Sequence, residues 1–214
     1  MANPREPFEP DTIYHVYNHG NGNDLIFKED KNYRFFLERF RKYMSPVAKI
    51  YAYCLMPNHF HFLLRIRNEE KLGSYFEELY PKERRSAMSQ KDIADLVSRQ
   101  FKNMLISYSK SFNSMYNRRG SLFLDNIERI SIRDDEYFTN MIRYIHFNPV
   151  LHGFADTPEK WKFNSIHTYY YADKRSSVSR REVFEWFGGP GQFKRFHQHI
   201  QEDEFDTINH LKLE

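Results

Sequence analysis

The period of apolar and polar positions changes several times along the chain, and each change marks an element. Residues 12–17 (TIYHVY) are β-branched and aromatic and stop at the turn-rich NHGNGND, which predicts a strand and a loop. Over residues 29–44, Phe36, Phe40 and Tyr43 recur at helical spacing with charges elsewhere, and Pro46 ends that helix. Residues 49–56 (KIYAYCLM) and 59–66 (HFHFLLRI) read as two strands of a hairpin turned at Pro57-Asn58. A polar stretch from Arg67 carries a short helix around residues 72–80. The longest helical pattern covers residues 91–115, where Phe101, Met104, Leu105, Tyr108, Phe112 and Met115 line one stripe before Arg118-Arg119-Gly120 breaks it. Residues 122–133 (LFLDNIERISIR) alternate and read as the next strand region. Asp134-Asp135-Glu136 then opens a helix with acids where its dipole favours them, and Asn148-Pro149 is expected to close it.

The resulting order, β-α-β-β-α-β-α, is close to the split β-α-β of ferredoxin-like folds with one further helix. The fold class expected is α+β, an antiparallel sheet packed with helices. After Gly153, Trp161-Lys162-Phe163 and the tyrosines at 169–171 suggest packing onto the main body. Residues 174–180 (KRSSVSR) look like a linker, and Gly188-Gly189-Pro190-Gly191 separates two short terminal helices. The chain is therefore divided into a main domain, residues 1–172, and a C-terminal helical extension, residues 173–214.

Composition narrows the class. A length of 214 residues can bury a substantial core, and 17% aromatics with few Gly and Pro exclude linker-like and disordered chains. One cysteine excludes a disulfide scaffold and any multi-cysteine zinc site. No apolar run reaches the ~20 residues of a membrane span, and the first ten residues lack a signal-peptide core, so no membrane association and a cytoplasmic location are expected. The net charge of +3 is too small to argue for nucleic acid by itself, but its distribution is uneven. Residues 99–119 hold Arg99, Lys102, Lys110, Arg118 and Arg119 and no acid, a stretch suited to phosphates. Arg65 and Arg67 extend the histidine strand, and Arg84-Arg85 precedes the long helix.

Two patterns carry candidate chemistry. In His59-Phe60-His61, the strand period of two sends both imidazoles to one face, where they can chelate a divalent ion if a third ligand joins them. Taken alone, such a pair in a chain with ten histidines is only suggestive. On the helix opened by Asp134, Phe138, Met141, Ile142 and Ile145 form an apolar stripe. Tyr137, Tyr144 and Asn148 gather on a flank about 80–120° away. Tyr144 and Asn148 are i, i+4 neighbours and reach one site together. A tyrosine hydroxyl, with pKa ~10, is a poor nucleophile unless its target is made electrophilic, as a metal gripping a phosphate would do. Asn148 would supply an oxygen ligand beside His59 and His61. On periodicity alone, the favoured reading makes Tyr144 a partly buried aromatic and Asn148 a helix stop before Pro149.

Four blocks then bear a resemblance: YHVYNHGNGNDLIF (14–27), YCLMPNHFHFLL (53–64), FNSMYNRRGSLF (112–123) and YIHFNPVLHGF (144–154). Together they resemble the single-tyrosine HUH transposases, most closely the REP-associated tyrosine transposases, over about residues 13–170. The second and fourth are the specific ones. The resemblance implies a ferredoxin-like, HUH-nuclease type sheet. It implies that His59 and His61 bind Mg²⁺ or Mn²⁺ and that Tyr144 attacks a DNA phosphodiester, leaving a 5′-phosphotyrosyl intermediate and a free 3′-hydroxyl. Asn148, four residues on, matches the position of a third metal ligand. The implied partner is single-stranded or hairpin DNA, and the implied setting is the bacterial nucleoid. Some relatives form a homodimer in which one subunit's tyrosine helix serves the other's histidines. A non-cleaving hairpin-binding descendant is the alternative. An HUH replication initiator or relaxase fits the four blocks less well.

Overall fold

The computed structural model describes residues 6–83, 88–124, 126–171 and 176–198. Four strands, β1 (Ile13–His19), β2 (Ala48–Leu55), β3 (His59–Ile66) and β4 (Glu128–Ile132), form one sheet in the order β2-β3-β1-β4, with every neighbouring pair antiparallel. This is the strand order of a ferredoxin-like split unit, so the expected class holds. Helix α1 (Asp30–Met44) and the long α3 (Gln90–Met115) pack against each other over one face, with the short α2 (Glu69–Leu79) beside α3. Helix α4 (Asp135–Leu151) lies against the other face, touching β2, β3 and β4.

The pleat sorts side chains between these layers. Phe60 and Phe62 point toward α1, where the Phe40 ring stacks flat on Phe62 at 3.7 Å and Phe36 tilts onto Phe60 at 5.1 Å. Tyr108 of α3 meets Phe36 edge-on at 5.0 Å. Most of the chain's aromatic residues are buried in packing of this kind. His59, His61 and, from β1, His15 point to the opposite face, toward α4. Helix starts are set by side chains acting on exposed amide groups, each such cap contributing ~1 kcal/mol. Ser89 and Asp92 form a capping box on α3, and Asp134 accepts from the Tyr137 amide on α4.

The remaining chain covers the outer side of α4. Trp161 donates to the Leu55 carbonyl at 2.8 Å, and the Phe163 ring stacks on Tyr33 at 4.0 Å. After the short α5 (Ile166–Tyr170) come α6 (Arg180–Trp186) and α7 (Pro190–Gln198), the two terminal helices anticipated around the glycine cluster. Trp186 packs on Phe138 at 4.4 Å and donates to Asp135 at 3.0 Å. With the sheet inside and these helices outside, every residue from Met141 to Pro149 is buried.

Three expectations change. The strand in residues 122–133 shrinks to β4, because Asn18 donates to the carbonyls of Leu124 and Asn126 and holds that segment in an irregular path. Helix α4 does not stop at Asn148-Pro149. It runs to Leu151 and ends at Gly153, whose φ of +70° is the left-handed stop, while the Pro149 carbonyl accepts from Phe154 at 2.8 Å. A proline in the last turn removes one amide and leaves the preceding turns intact. The supposed linker is docked where it is described: Val178 bridges Ile50, and the Ser179 amide donates to the Ile50 carbonyl at 2.8 Å. Arg84, Arg85 and the linker's first two residues, Lys174 and Arg175, lie outside the described residues.

Candidate active site

The site forms where the hairpin turn, β1 and α4 converge. The turn is braced by the loop after β1: the Gly20 amide donates to the Asn58 carbonyl at 2.7 Å, and the amides of Ile26 and Phe27 donate to the Pro57 carbonyl. Gly20 is required by closeness, since a Cβ there would stand 2.2 Å from the Asp24 carbonyl oxygen. This bracing places Asn58 with its side-chain oxygen 2.9 Å from His59 Nδ1.

Across the sheet face, α4 brings Tyr144 and Asn148 down onto the histidines within one chain. Asn148 Oδ1 lies 3.0 Å from His59 Nε2, and the Tyr144 ring meets His61 edge-on with centroids 5.6 Å apart. Tyr144 and Asn148 of the flank are thus as buried as the apolar stripe, and both meet the sheet, Phe138 packing edge-on against Tyr51 of β2 at 5.6 Å. His15 adds a member from β1, its Nε2 2.9 Å from His61 Nδ1, and the Tyr144 ring stands edge-on to it at 6.0 Å. His19 stacks on His59 at 4.8 Å, and the His152 ring lies 5.0 Å from His59.

Burial governs the electrostatics. Removal from water disfavours the imidazolium, so His15 is pushed down to about 3 and His61 falls well below the usual histidine range, the other histidines adding repulsion. Both rings are neutral at physiological pH, the state in which imidazole is a metal ligand. His61 Nε2 and Asn148 Nδ2 are buried with no hydrogen-bond partner among the described residues. Orphan atoms of this kind are costly in a core and call for an explanation.

Of these atoms, His61 Nε2 suits a divalent cation, whereas Asn148 Nδ2 is a donor that only an acceptor such as a phosphate oxygen could satisfy. Asn58 can accept from His59 Nδ1–H, which turns the Nε2 lone pair toward Asn148. With His59 in that tautomer, Nε2 and Oδ1 face each other as two acceptors at 3.0 Å, the ~3.0 Å separation of neighbouring ligands each ~2.1 Å from an octahedral ion; in the other tautomer the same pair is an ordinary hydrogen bond from Nε2–H to Oδ1. With the His61 proton on Nδ1, toward His15, His61 Nε2 is a third lone pair on the same face. No group of three or more His, Cys, Asp or Glu among the described residues is placed to hold a metal, so the set depends on the asparagine.

The basic residues fall into two groups. Arg99, Lys102, Lys110 and Arg119 are exposed. Lys102 and Lys110 line a cavity of about 720 Å³ between α3 and residues 120–129, together with Ser98, Ile106 and Asn113. Three others are held internally. Arg118 grips Asp24 and the Ser121 carbonyl, Arg67 donates to the Ser45 carbonyl at 2.8 Å, and Arg65 pairs with Asp11 at 3.1 Å. Tyr137, the rival tyrosine of the same flank, is half-buried and its hydroxyl is raised by desolvation.

On the sequence alone, Tyr14, His15, Tyr17 and His19 near the first strand could help shape the site, with packing favoured for most of them, and neither Asn58 nor His152 is singled out for it. His152 was reachable, since it stands four residues beyond Asn148 just as Asn148 stands four beyond Tyr144. The pairing of His15 with His61 was not, because only the strand register sets the two diagonal.

Comparison with known proteins bears on the fold. No family model matches the chain. A curated Haemophilus influenzae protein named as a REP-associated tyrosine transposase is 28% identical over 124 residues, covering 54% of this chain and 57% of that protein. The match thus spans little more than half of the curated relative's length. A solved structure described as a REP-associated tyrosine transposase bound to a REP hairpin superposes with a TM-score of 0.57 at 13% identity, over 83% of this chain and 89% of the other. At that identity the likeness establishes the fold. The resemblance carried by the sequence blocks is therefore found again in a relative and in a structure of the same family name. No helix among the described residues is long and apolar enough to cross a membrane.

Proposed function

We propose that this protein is a metal-dependent endonuclease and strand transferase acting on single-stranded or hairpin DNA, with Tyr144 as nucleophile. The observation that carries the reading is the meeting, within one chain, of the Tyr144 ring with His61 at 5.6 Å and of Asn148 with His59 at 3.0 Å. His59, His61 and Asn148 would hold Mg²⁺ or Mn²⁺, which supplies positive charge to polarise the scissile phosphate. Tyr144 Oη forms a bond to phosphorus while the bond to the 3′ oxygen breaks; the tyrosine proton is lost and the leaving 3′ oxygen ends as a hydroxyl. The 5′ phosphate stays on the tyrosine as an ester. A 3′-hydroxyl attacking that ester reverses the step and joins strands without ATP, because the ester keeps the bond energy. Lys102, Lys110, Arg99 and Arg119 supply exposed charge for the DNA backbone.

The test is a labelled single-stranded hairpin incubated with the protein and Mn²⁺, then run on a denaturing gel. A covalent adduct lost in Tyr144→Phe supports the reading, and an adduct that survives the substitution overturns the nucleophile assignment. One observation favours a second reading, a hairpin-binding protein that does not cut: Tyr144 is fully buried, at 0% exposure. Tight hairpin binding with no adduct in any divalent metal would select it.

A further inference from the structure

A second histidine cluster lies on the side of α4 turned toward α7 and the β2 edge, and the proposed chemistry does not use it. His197 of α7 has its Nδ1 2.9 Å from the Phe193 carbonyl, which can only accept, so that nitrogen carries the proton. Its Nε2 lies 2.9 Å from His146 Nδ1, and His146 Nε2 lies 2.8 Å from Ser165 Oγ. Ser165 Oγ in turn accepts from the Tyr53 amide of β2 at 2.8 Å. Both rings are buried and neutral, His197 at about 3 through desolvation. One arrangement of protons then satisfies every member: Ser165 donates to His146, His146 to His197, and His197 to Phe193. None of the nitrogens and oxygens in this chain is orphaned. The donor order imitates a hydrolase triad, but the Ser165 hydroxyl is already engaged on both sides, donating to His146 and accepting from the Tyr53 amide, so the chain of bonds serves as a structural tie.

What the chain of bonds does is tie three elements together at one point of α4. His146 sits between Tyr144 and Asn148 in sequence, and its ring is held by β2 through Ser165 and by α7 through His197. Arg143, on the other side of Tyr144, donates to the Phe196 carbonyl at 3.2 Å and stacks on the Phe196 ring at 4.1 Å. The helix bearing the nucleophile is thus gripped from its outer side by the C-terminal extension. We infer that His197 is a positioning residue of the active site, which fixes the rotation of α4 about its own axis and thereby the placement of Tyr144 and Asn148 against the histidine face. This rests on the reading of Tyr144 as nucleophile for its catalytic consequence, but not for its structural one.

Two substitutions separate the outcomes. His197→Phe keeps an aromatic ring among Phe187, Phe193 and Phe196 and removes the acceptor for His146. His197→Gln returns a carbonyl oxygen near the position of Nε2. In the full-length protein without metal or DNA, the hydrogen-bonded His146 Nδ1–H should give a slowly exchanging downfield imidazole resonance, absent in His197→Phe and recovered in His197→Gln. With hairpin DNA and Mn²⁺, His197→Phe should slow adduct formation by roughly 10–100-fold, as misplacements of about 1 Å do, with hairpin affinity unchanged and the rate largely rescued by Gln. Wild-type rates in His197→Phe, or a loss equal in Phe and Gln, overturn the inference. If the wild type forms no adduct, the proposed function fails by itself. Amide hydrogen exchange across residues 141–148 then decides: faster exchange in Phe than in Gln supports positioning, and equal exchange overturns it.

Discussion

Helix α4 separates two buried histidine clusters that share composition and burial but differ in their hydrogen bonds. On the side toward α7, His146 and His197 are joined to Ser165 and the Phe193 carbonyl with each donor matched to an acceptor. On the sheet side, His15, His59, His61 and Asn148 leave His61 Nε2, His15 Nδ1 and Asn148 Nδ2 without hydrogen-bond partners among the described residues. A saturated network rigidifies its surroundings, whereas an unsaturated one stores a cost that only a bound group can relieve. On the proposed reading, the first cluster builds the site and the second constitutes it.

The largest effect expected from breaking this contrast is chemical. Tyr144→Phe should lower covalent adduct formation by more than about 10³-fold on a denaturing gel, while thermal denaturation moves little, since only a hydroxyl is removed from a packed ring. Next is a stability comparison across the helix. His146→Leu should cost about 2–4 kcal/mol in denaturant unfolding without metal, because it strands Ser165 and His197 as well as altering packing. His61→Leu deletes an orphan nitrogen but also takes away the partner of His15 Nε2, so it should cost less than His146→Leu, about 1–2 kcal/mol, and it should abolish Mn²⁺ binding by calorimetry. The reverse order of the two stabilities would erase the distinction.

Acid should affect both clusters alike. Burial depresses His15 and His197 to about 3, and it lowers His61 and His146 as well. Unfolded histidine titrates near 6.5, so above that pH both states are neutral and stability is flat with respect to these groups. Below it the unfolded chain binds protons that the folded chain excludes, and stability falls by on the order of 1 kcal/mol per pH unit per histidine until the folded pKa is reached. Melting temperatures should be level from pH 7 upward and drop steeply between pH 6.5 and about 4. Saturating Mn²⁺ should slow that drop for the sheet-side cluster only, so that His146→Leu keeps the protection and His61→Leu loses it. The smallest effect belongs to the surface: Lys102→Ala and Lys110→Ala should each reduce the salt dependence of hairpin binding by about one unit of slope, with adduct chemistry intact.

Much of this was legible in the sequence, and the exceptions have physical reasons. Strand alternation placed His59 and His61 on one face and Phe60 on the other without any structure. The i, i+4 spacing joined Tyr144 to Asn148. Helix α4, however, was read as amphipathic with one buried stripe, and it is buried all round. Periodicity reports which face is apolar, and a helix packed on two sides has no polar face to betray its orientation. The same double burial hid the relay, since Ser165, His146 and His197 have no shared period and meet only through tertiary packing. Pro149 misled in a different way: a proline marks where an amide is missing, and in the last turn that amide is dispensable.

Gly20 touches none of the reacting groups, yet it lets the loop after β1 close on the turn that holds Asn58 and so aims His59. In genetic terms, every glycine codon lies one base change from alanine or valine. Either would press a Cβ into the Asp24 carbonyl and push the loop off the turn. Position 20 is where separation-of-function alleles are expected, with hairpin binding retained and metal affinity lost while every donor atom remains in the chain.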